Sequence, residues 1–210
     1  MLTKKIQNSA LYVKKNYTKS FFLITTIISF FISFISKKHI SKISKHNTIK
    51  KFLIKDSVFI ETGCYYGETL EKFSNYFSRS LSIEPSTYLY NITSKRLNKN
   101  KDIKIFHGTS EDFFEKAVIE NLNENITFWL DGHFSDGETF QNSDDSSLKH
   151  EIKIIEKYLN KIKKISILID DADCLTGDKG YPEYNDVKEF FETKNFKCFE
   201  ENNILIFTRK

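Results

Sequence analysis

The chain has 210 residues, 40% of them hydrophobic and 15% aromatic, which is enough for a folded core and excludes extensive disorder. Seven Gly and two Pro exclude collagen-like and linker-like sequences. The three cysteines are too few and too scattered for a disulfide framework or a paired-cysteine zinc site, so free thiols in a reducing compartment are expected.

Positive charge is concentrated at the beginning of the chain. Residues 1–55 contain 12 Lys and no acidic residue, whereas residues 56–210 contain all 28 Asp and Glu and carry a net charge of −8. We therefore divide the chain into a basic N-terminal arm, residues 1–55, and a domain, residues 56–210. The arm is expected to seek an anionic surface. A nucleic-acid-binding protein would normally carry its basic patch on the folded domain, whereas here the basic residues lie in the arm. No nucleic acid is therefore expected as a partner.

The arm contains an uncharged run, residues 20–36, with lysines on both sides. As a helix, its 17 residues would measure roughly 25 Å, near the lower limit for crossing a bilayer. We interpret it as a membrane anchor that spans the bilayer or lies in the interface, which would place the protein on the cytoplasmic side of a membrane. A helix buried against the domain, in a soluble cytoplasmic protein, is the main alternative. A cleavable signal peptide fits poorly, because no small-residue cleavage site follows.

From Ser57 onward, short β-branched or aromatic runs alternate with polar, helix-like stretches. This alternation predicts a doubly wound α/β sheet. The predicted strands are Ser57–Glu61, Ser80–Glu84, Ile103–His107, Ile126–Asp131 and Ile165–Asp170, followed in turn by helices near Glu68–Phe77, Thr87–Asn98, Glu111–Asn121, Ser147–Lys163 and Tyr184–Thr193. A hairpin of Phe196–Glu200 and Ile204–Thr208 is predicted to end the chain.

Ligands of such sheets bind at the carboxyl ends of the strands. Gly63 and Gly67 follow the first strand and allow a tight turn whose backbone can approach a ligand, although a purely structural turn would look the same. Glu84 ends the second strand, about 20 residues further on, where a carboxylate can bind ribose hydroxyls. A solvated, helix-capping Glu84 is the alternative. The segment after the third strand, His107 to Asp112, is compatible with an ordinary helix cap.

Three aspartates follow the fourth and fifth strands: Asp131, Asp170 and Asp171. Neighbouring strands lie about 4.8 Å apart, so these carboxylates are expected to converge at one edge. Their mutual repulsion predicts a compensating cation, and oxygen ligands without cysteine favour Mg²⁺ or Ca²⁺. The alternative is that these residues only end the sheet in solvent.

These residues resemble class I S-adenosylmethionine (SAM)-dependent methyltransferases. The segment from Glu61 to Thr69 is similar to the first motif, Glu-x-Gly-x-Tyr-x-Gly-x-Ser, of the catechol O-methyltransferase type. The resemblance implies a Rossmann-like sheet of seven strands in the order 3-2-1-4-5-7-6, with the last strand antiparallel. It also implies a metal at Asp131, Asp170 and Asp171, and SAM bound by Glu61, Gly63, Cys64, Tyr65, Gly67, Thr69, Glu84, Ser110, Glu111 and Asp131.

Two differences from the catechol enzymes affect the prediction of the methyl acceptor. The catechol enzymes have a Lys just after the aspartate of strand four, whereas this chain has Gly132 and His133. Asp171, in place of Asn, looks more like the macrocin-type sugar O-methyltransferases, which use a nearby His. An imidazole suits a general base near neutral pH, so we predict His133, with Asp131, as a catalytic residue. The polar loop from Phe134 to Ser147 favours a sugar, polyol or glycan acceptor.

The predicted function is therefore Mg²⁺- and SAM-dependent methylation of a hydroxyl group. Two other classes stay open: a non-catalytic methyltransferase-like module tethered to a membrane, and a metal-dependent hydrolase that uses the same aspartates. The sequence leaves self-association into a homo-oligomer open as well.

Overall fold

The computed structural model describes residues 42–131 and 146–209. The apolar run at residues 20–36, His133 and most of the predicted acceptor loop lie outside these ranges. Membrane attachment, the cytoplasmic-side location and the base role of His133 therefore stay predictions. None of the helices in the described ranges is both long and apolar enough to cross a membrane.

The described residues form one seven-stranded sheet in the order β3-β2-β1-β4-β5-β7-β6. The first five strands are parallel, and β7 is antiparallel to both of its neighbours, β5 and β6. The order predicted from the family resemblance is confirmed. The strands are β1 (Val58–Thr62), β2 (Arg79–Glu84), β3 (Ile103–His107), β4 (Asn125–Leu130), β5 (Lys164–Ile169), β6 (Lys197–Glu201) and β7 (Ile204–Arg209).

Six α-helices accompany the sheet in the described ranges. They are α1 (Lys42–Phe52), α2 (Glu68–Phe73), α3 (Thr87–Leu97), α4 (Ser110–Ile119), α5 (Leu148–Tyr158) and α6 (Tyr184–Glu192). Two predicted helices, Glu68–Phe77 and Ser147–Lys163, are shorter than expected because their last turns tighten into 3₁₀ helices, Ser74–Tyr76 and Leu159–Lys161.

The sheet separates two apolar layers, since successive side chains of a strand point to opposite faces. Ile60 and Phe128 belong to the larger layer, which also receives buried residues of α4, α5 and α6. Phe59 and Trp129 belong to the other layer, together with Ile49 of α1. Both faces are therefore covered, and the carboxyl edge of the parallel strands is left as the place for a ligand.

The end of the predicted arm packs against the sheet. Ile49 of α1 is only 1% exposed, and the compact unit to which it belongs begins at Lys42. After the helix, the Ile54 backbone N–H donates to Thr127 Oγ1 at 3.0 Å, and Ser166 donates to the Phe52 carbonyl at 2.8 Å. Residues 42–55 therefore associate with the domain. We predicted residues 42–55 as part of the arm from their charge alone. Charge does not show which apolar residues of this stretch are buried.

Candidate functional site

The chain turns sharply after β1. Gly63, Tyr65 and Gly67 have φ angles of 77°, 48° and 68°, in the left-handed region that favours glycine. The Gly63 N–H donates to the Ile83 carbonyl of β2 at 3.1 Å. The strained Tyr65 is fixed by Thr93 of α3, whose hydroxyl donates to the Tyr65 carbonyl at 2.8 Å. The predicted tight turn is present, and it is fastened to both β2 and α3.

Gly67 is required by the close approach of α3. A Cβ atom at this position would lie 2.5 Å from Thr93 Cγ2, which is closer than such atoms come. We expect Gly67→Ala to lower the free energy of unfolding by about 1–3 kcal/mol more than Gly177→Ala does, because overpacking adds to the backbone strain.

Gly177 is the matched control for this prediction. Its φ is 82°, but an added Cβ would come no closer than 3.4 Å to any of the neighbouring atoms. Urea denaturation of the two variants measures the difference. Equal losses of stability would show that α3 moves away at little cost.

Glu84 holds the turn from the end of β2. Its carboxylate accepts from the Tyr65 N–H at 2.8 Å and from the Ser86 N–H at 2.9 Å, one bond to each oxygen. Burial raises the pKa of this carboxyl. A carboxylate oxygen has two lone pairs, so each oxygen has one left for a further donor such as a ribose hydroxyl. The alternative of a solvated Glu84 is excluded, because the residue is 3% exposed.

Two other residues predicted to bind SAM, Glu61 and Cys64, have buried side chains. Glu61 is 1% exposed and accepts from Ser82 Oγ at 2.6 Å; burial raises its pKa well above the ordinary value. Burial likewise raises the pKa of the Cys64 thiol. Glu61 of β1 is therefore joined to β2 through Ser82. The Cys64 side chain, 3% exposed, belongs to the apolar layer with Phe59 and Trp129.

The segment after β3 begins α4. The Asp112 carboxylate accepts from both the backbone N–H and the hydroxyl of Thr109, so the helix cap that we kept as an alternative is present. Ser110 is buried and donates its hydroxyl at 2.7 Å to Glu151 of α5. Glu111 is exposed in the first turn of α4, and Thr69 is half-buried in the first turn of α2.

Glu151 is a site residue that the sequence analysis missed. It is fully buried and accepts from Ser110 Oγ at 2.7 Å and from Ser147 Oγ at 2.6 Å. Burial raises its pKa from 4.5 to about 7. A signal was present in the sequence, since Leu148, Glu151, Ile152 and Ile155 follow helical spacing and put a carboxyl on the apolar face of α5.

The three aspartates converge, as the strand order predicts. Asp131 follows β4, and Asp170 and Asp171 follow the neighbouring β5; one oxygen from each lies within 4.8 Å of the others. We call these residues the aspartate cluster. Burial, followed by the charges of Asp131 and Asp171, raises the pKa of Asp170.

Lys45 of α1 lies against this cluster. Its Nζ is 2.7 Å and 2.8 Å from the two oxygens of Asp170 and 2.8 Å from Asp171 Oδ1. Burial by itself lowers the pKa of Lys45, but the charges and hydrogen bonds of Asp170 and Asp171 outweigh it and raise the pKa above its ordinary value. Lys45 is therefore a cation at the place where the sequence predicted a metal ion.

Comparison with known proteins agrees with this fold. No protein-family model and no curated protein sequence matches the chain. A precorrin-6Y C5,15-methyltransferase from Geobacter metallireducens GS-15 shares 14% identity over 82% of this chain and 91% of its own, with a TM-score of 0.51. The 23S rRNA methyltransferase ErmE shares 13% identity over 81% of this chain and 68% of its own, with a TM-score of 0.53. The chain therefore has the Rossmann-like fold of class I SAM-dependent methyltransferases, while the catechol or macrocin type stays a prediction.

Proposed function

We propose that this chain transfers a methyl group from SAM to a hydroxyl group of a polar acceptor such as a sugar, polyol or glycan. The observation that carries the proposal is the buried carboxylate of Glu84 against the glycine turn. It lies at the carboxyl ends of β1 and β2, where α/β sheets bind their ligands. The residues fit the cofactor, because the carboxylate has acceptor capacity left and the turn beside it contains the half-buried Gly63 and the exposed Tyr65.

SAM brings an already activated methyl group, so the protein mainly has to orient the two reactants. Glu84 would accept the ribose hydroxyls, and the backbone from Gly63 to Gly67 would contact the remainder of the cofactor. Asp131, at the end of β4, lies beside the turn, since its N–H donates to the Thr62 carbonyl at 3.2 Å. The predicted base, His133, follows two residues later.

The charge of the domain favours a small polar acceptor. Residues 42–210, which form the compact unit, carry a net charge of −3, and the aspartate cluster lies at the edge where the acceptor must arrive. Phosphate groups of RNA would be repelled there, and nucleic-acid binding depends on phosphate neutralisation. One structural neighbour is an rRNA methyltransferase. RNA is therefore the alternative acceptor that the experiment should include.

The proposed reaction does not include the Mg²⁺ ion that the sequence predicted. The oxygen donors of the aspartate cluster suit a hard cation by type. However, the Lys45 ammonium already contacts Asp170 and Asp171 at 2.7–2.8 Å, so it competes with a metal ion for these oxygens. With Lys45 in place the aspartate cluster already has a cation bound to it, and no step is assigned to a metal ion.

Calorimetric titration of the full chain with SAM and with S-adenosylhomocysteine tests the proposal. We expect the wild type to bind both. Glu84→Ala should bind about 10- to 100-fold more weakly, because hydrogen bonds to a charged group are lost. Glu84→Gln, which keeps one acceptor oxygen for the turn, should lie between them.

Glu192→Ala is the control, since it removes an exposed carboxylate at the end of α6 and should bind like the wild type. The absence of a binding signal in the wild type would overturn the enzyme proposal. With binding established, transfer of a labelled methyl group to a sugar panel supports the acceptor class. Labelling of rRNA instead would contradict it.

A further inference from the structure

Lys45 contacts the aspartate cluster in the manner of a bound cation. One ammonium nitrogen lies within 2.8 Å of three carboxylate oxygens that belong to two aspartates. The side chain of Asp170 is 6% exposed and that of Lys45 is 21% exposed, so the contact is largely shielded from water. Surface ion pairs with freely moving lysines lack this combination of burial and several short contacts.

The helix that carries Lys45 is fixed to the sheet. Ile49, four residues after Lys45 and so on the same helical face, is buried in the apolar layer with Phe59 and Trp129. On the same helix, the Thr48 hydroxyl accepts from Asn202 Nδ2 at 2.9 Å. The backbone of α1 therefore holds the base of the Lys45 side chain in position, and the ammonium is directed to the end of β5.

A divalent ion bridging Asp170 and Asp171 would need the space that the ammonium fills. Mg²⁺ binds oxygen at about 2.0–2.1 Å and Ca²⁺ at about 2.3–2.6 Å. An ion at these distances from the three oxygens that Nζ contacts, on the side that Nζ occupies, would overlap Nζ, which lies 2.7–2.8 Å from them. Like charges would add repulsion to the overlap. Metal binding through these three oxygens therefore requires the displacement of Lys45.

We propose that the Lys45 ammonium is the resident cation of the aspartate cluster and excludes divalent metal ions from it. Lys45 thus supplies from α1 a positive charge that partly compensates the carboxylates of the cluster. The inference replaces the metal site predicted from sequence. It concerns cation binding alone and holds whether or not the chain transfers methyl groups.

Binding of Mn²⁺, a paramagnetic probe for hard divalent sites, tests the inference by electron paramagnetic resonance on the full chain. The wild type is expected to bind no Mn²⁺ at the cluster. Lys45→Met, which keeps much of the side-chain volume without the charge, should bind Mn²⁺ with a dissociation constant at least about tenfold below the highest Mn²⁺ concentration at which the wild type shows no binding, since ligand charge sets the affinity of such sites. The double variant Lys45→Met/Asp170→Asn should lose this binding.

Lys51→Met is the matched control on the same helix. Lys51 pairs with Glu201 in an exposed ion pair, and its removal should leave Mn²⁺ binding unchanged. Near-ultraviolet circular dichroism verifies that each variant is folded. A folded Lys45→Met that binds no Mn²⁺ would overturn the inference.

The wild-type measurement decides the matter even where a variant is unstable. Mn²⁺ binding by the wild type that Asp170→Asn abolishes would show that metal displaces Lys45, and the inference would be wrong. SAM titration of the same samples keeps the two proposals apart. SAM binding without Mn²⁺ binding supports both proposals, whereas loss of SAM binding alone affects only the proposed function.

Discussion

Lys45→Met is expected to lower the free energy of unfolding by about 3–5 kcal/mol, the cost of removing one partner from a buried ion pair. The loss is large because Asp170 stays buried, with a side chain that is 6% exposed, and keeps Asp131 and Asp171 as neighbours. Without the ammonium, no described basic side chain contacts Asp170. Urea denaturation followed by circular dichroism measures the change.

Two further variants separate this effect from a general loss of helix packing. Lys51→Met breaks an ion pair whose side chains are 60% and 36% exposed, so it should cost less than about 1 kcal/mol. Lys45→Met/Asp170→Asn removes both charges and should recover much of the stability, since buried pairs exchange for neutral groups at little cost. A double variant as unstable as Lys45→Met would mean that Met itself packs badly.

Much of the fold can be predicted because its strands are continuous apolar runs. Ile165–Ile169 is such a run, as expected for a parallel strand covered on both faces, and the structure places it in β5. The antiparallel hairpin follows from two further runs separated by Asn202 and Asn203, which adopt positive φ values of 56° and 62°. Local sequence patterns of this kind are sufficient to predict where these strands lie.

The cation at the aspartate cluster is a different case. Lys45 and Asp170 are 125 residues apart, and nothing local to either residue indicates the other. The repulsion among the three carboxylates did predict a positive charge. It could not distinguish a metal ion from a lysine, because both satisfy the same electrostatic requirement. The choice depends on how α1 packs, which is a property of the assembled fold.

Glu151 connects two parts of the site that the sequence treats separately. Ser110, one of the predicted SAM-binding residues, begins α4, and Ser147, the last residue of the predicted acceptor loop, precedes α5. Both hydroxyls donate to the same buried carboxyl oxygen, Oε1. The protonation state of Glu151 therefore bears on how firmly these two segments are joined.

Between pH 4.5 and about 7, Glu151 is expected to make the free energy of unfolding of the wild type fall by about 3 kcal/mol. Glu151→Gln should abolish this fall. Glu151 has a pKa of about 7 in the folded state, against an ordinary value of 4.5. Between these pH values the folded protein holds a proton that the unfolded chain has lost, so the contribution of Glu151 to stability falls as pH rises. Glutamine resembles the neutral acid in shape but does not titrate, and thus it lacks this fall.

Urea denaturation of both proteins across this pH range measures the effect. The variant should be close to the wild type at pH 4.5 and more stable than it above pH 7, because other titrating groups contribute equally to both. Ser147→Ala provides the contrast: it keeps the buried carboxyl but removes a hydrogen bond that lowers its pKa, so the fall with pH should persist or steepen.

Parallel pH curves for the wild type and Glu151→Gln would show that Glu151 is already ionised in the folded protein. The two serine hydroxyls would then donate to a buried charge, and removing either should cost more than the roughly 0.5–1.5 kcal/mol of a neutral hydrogen bond.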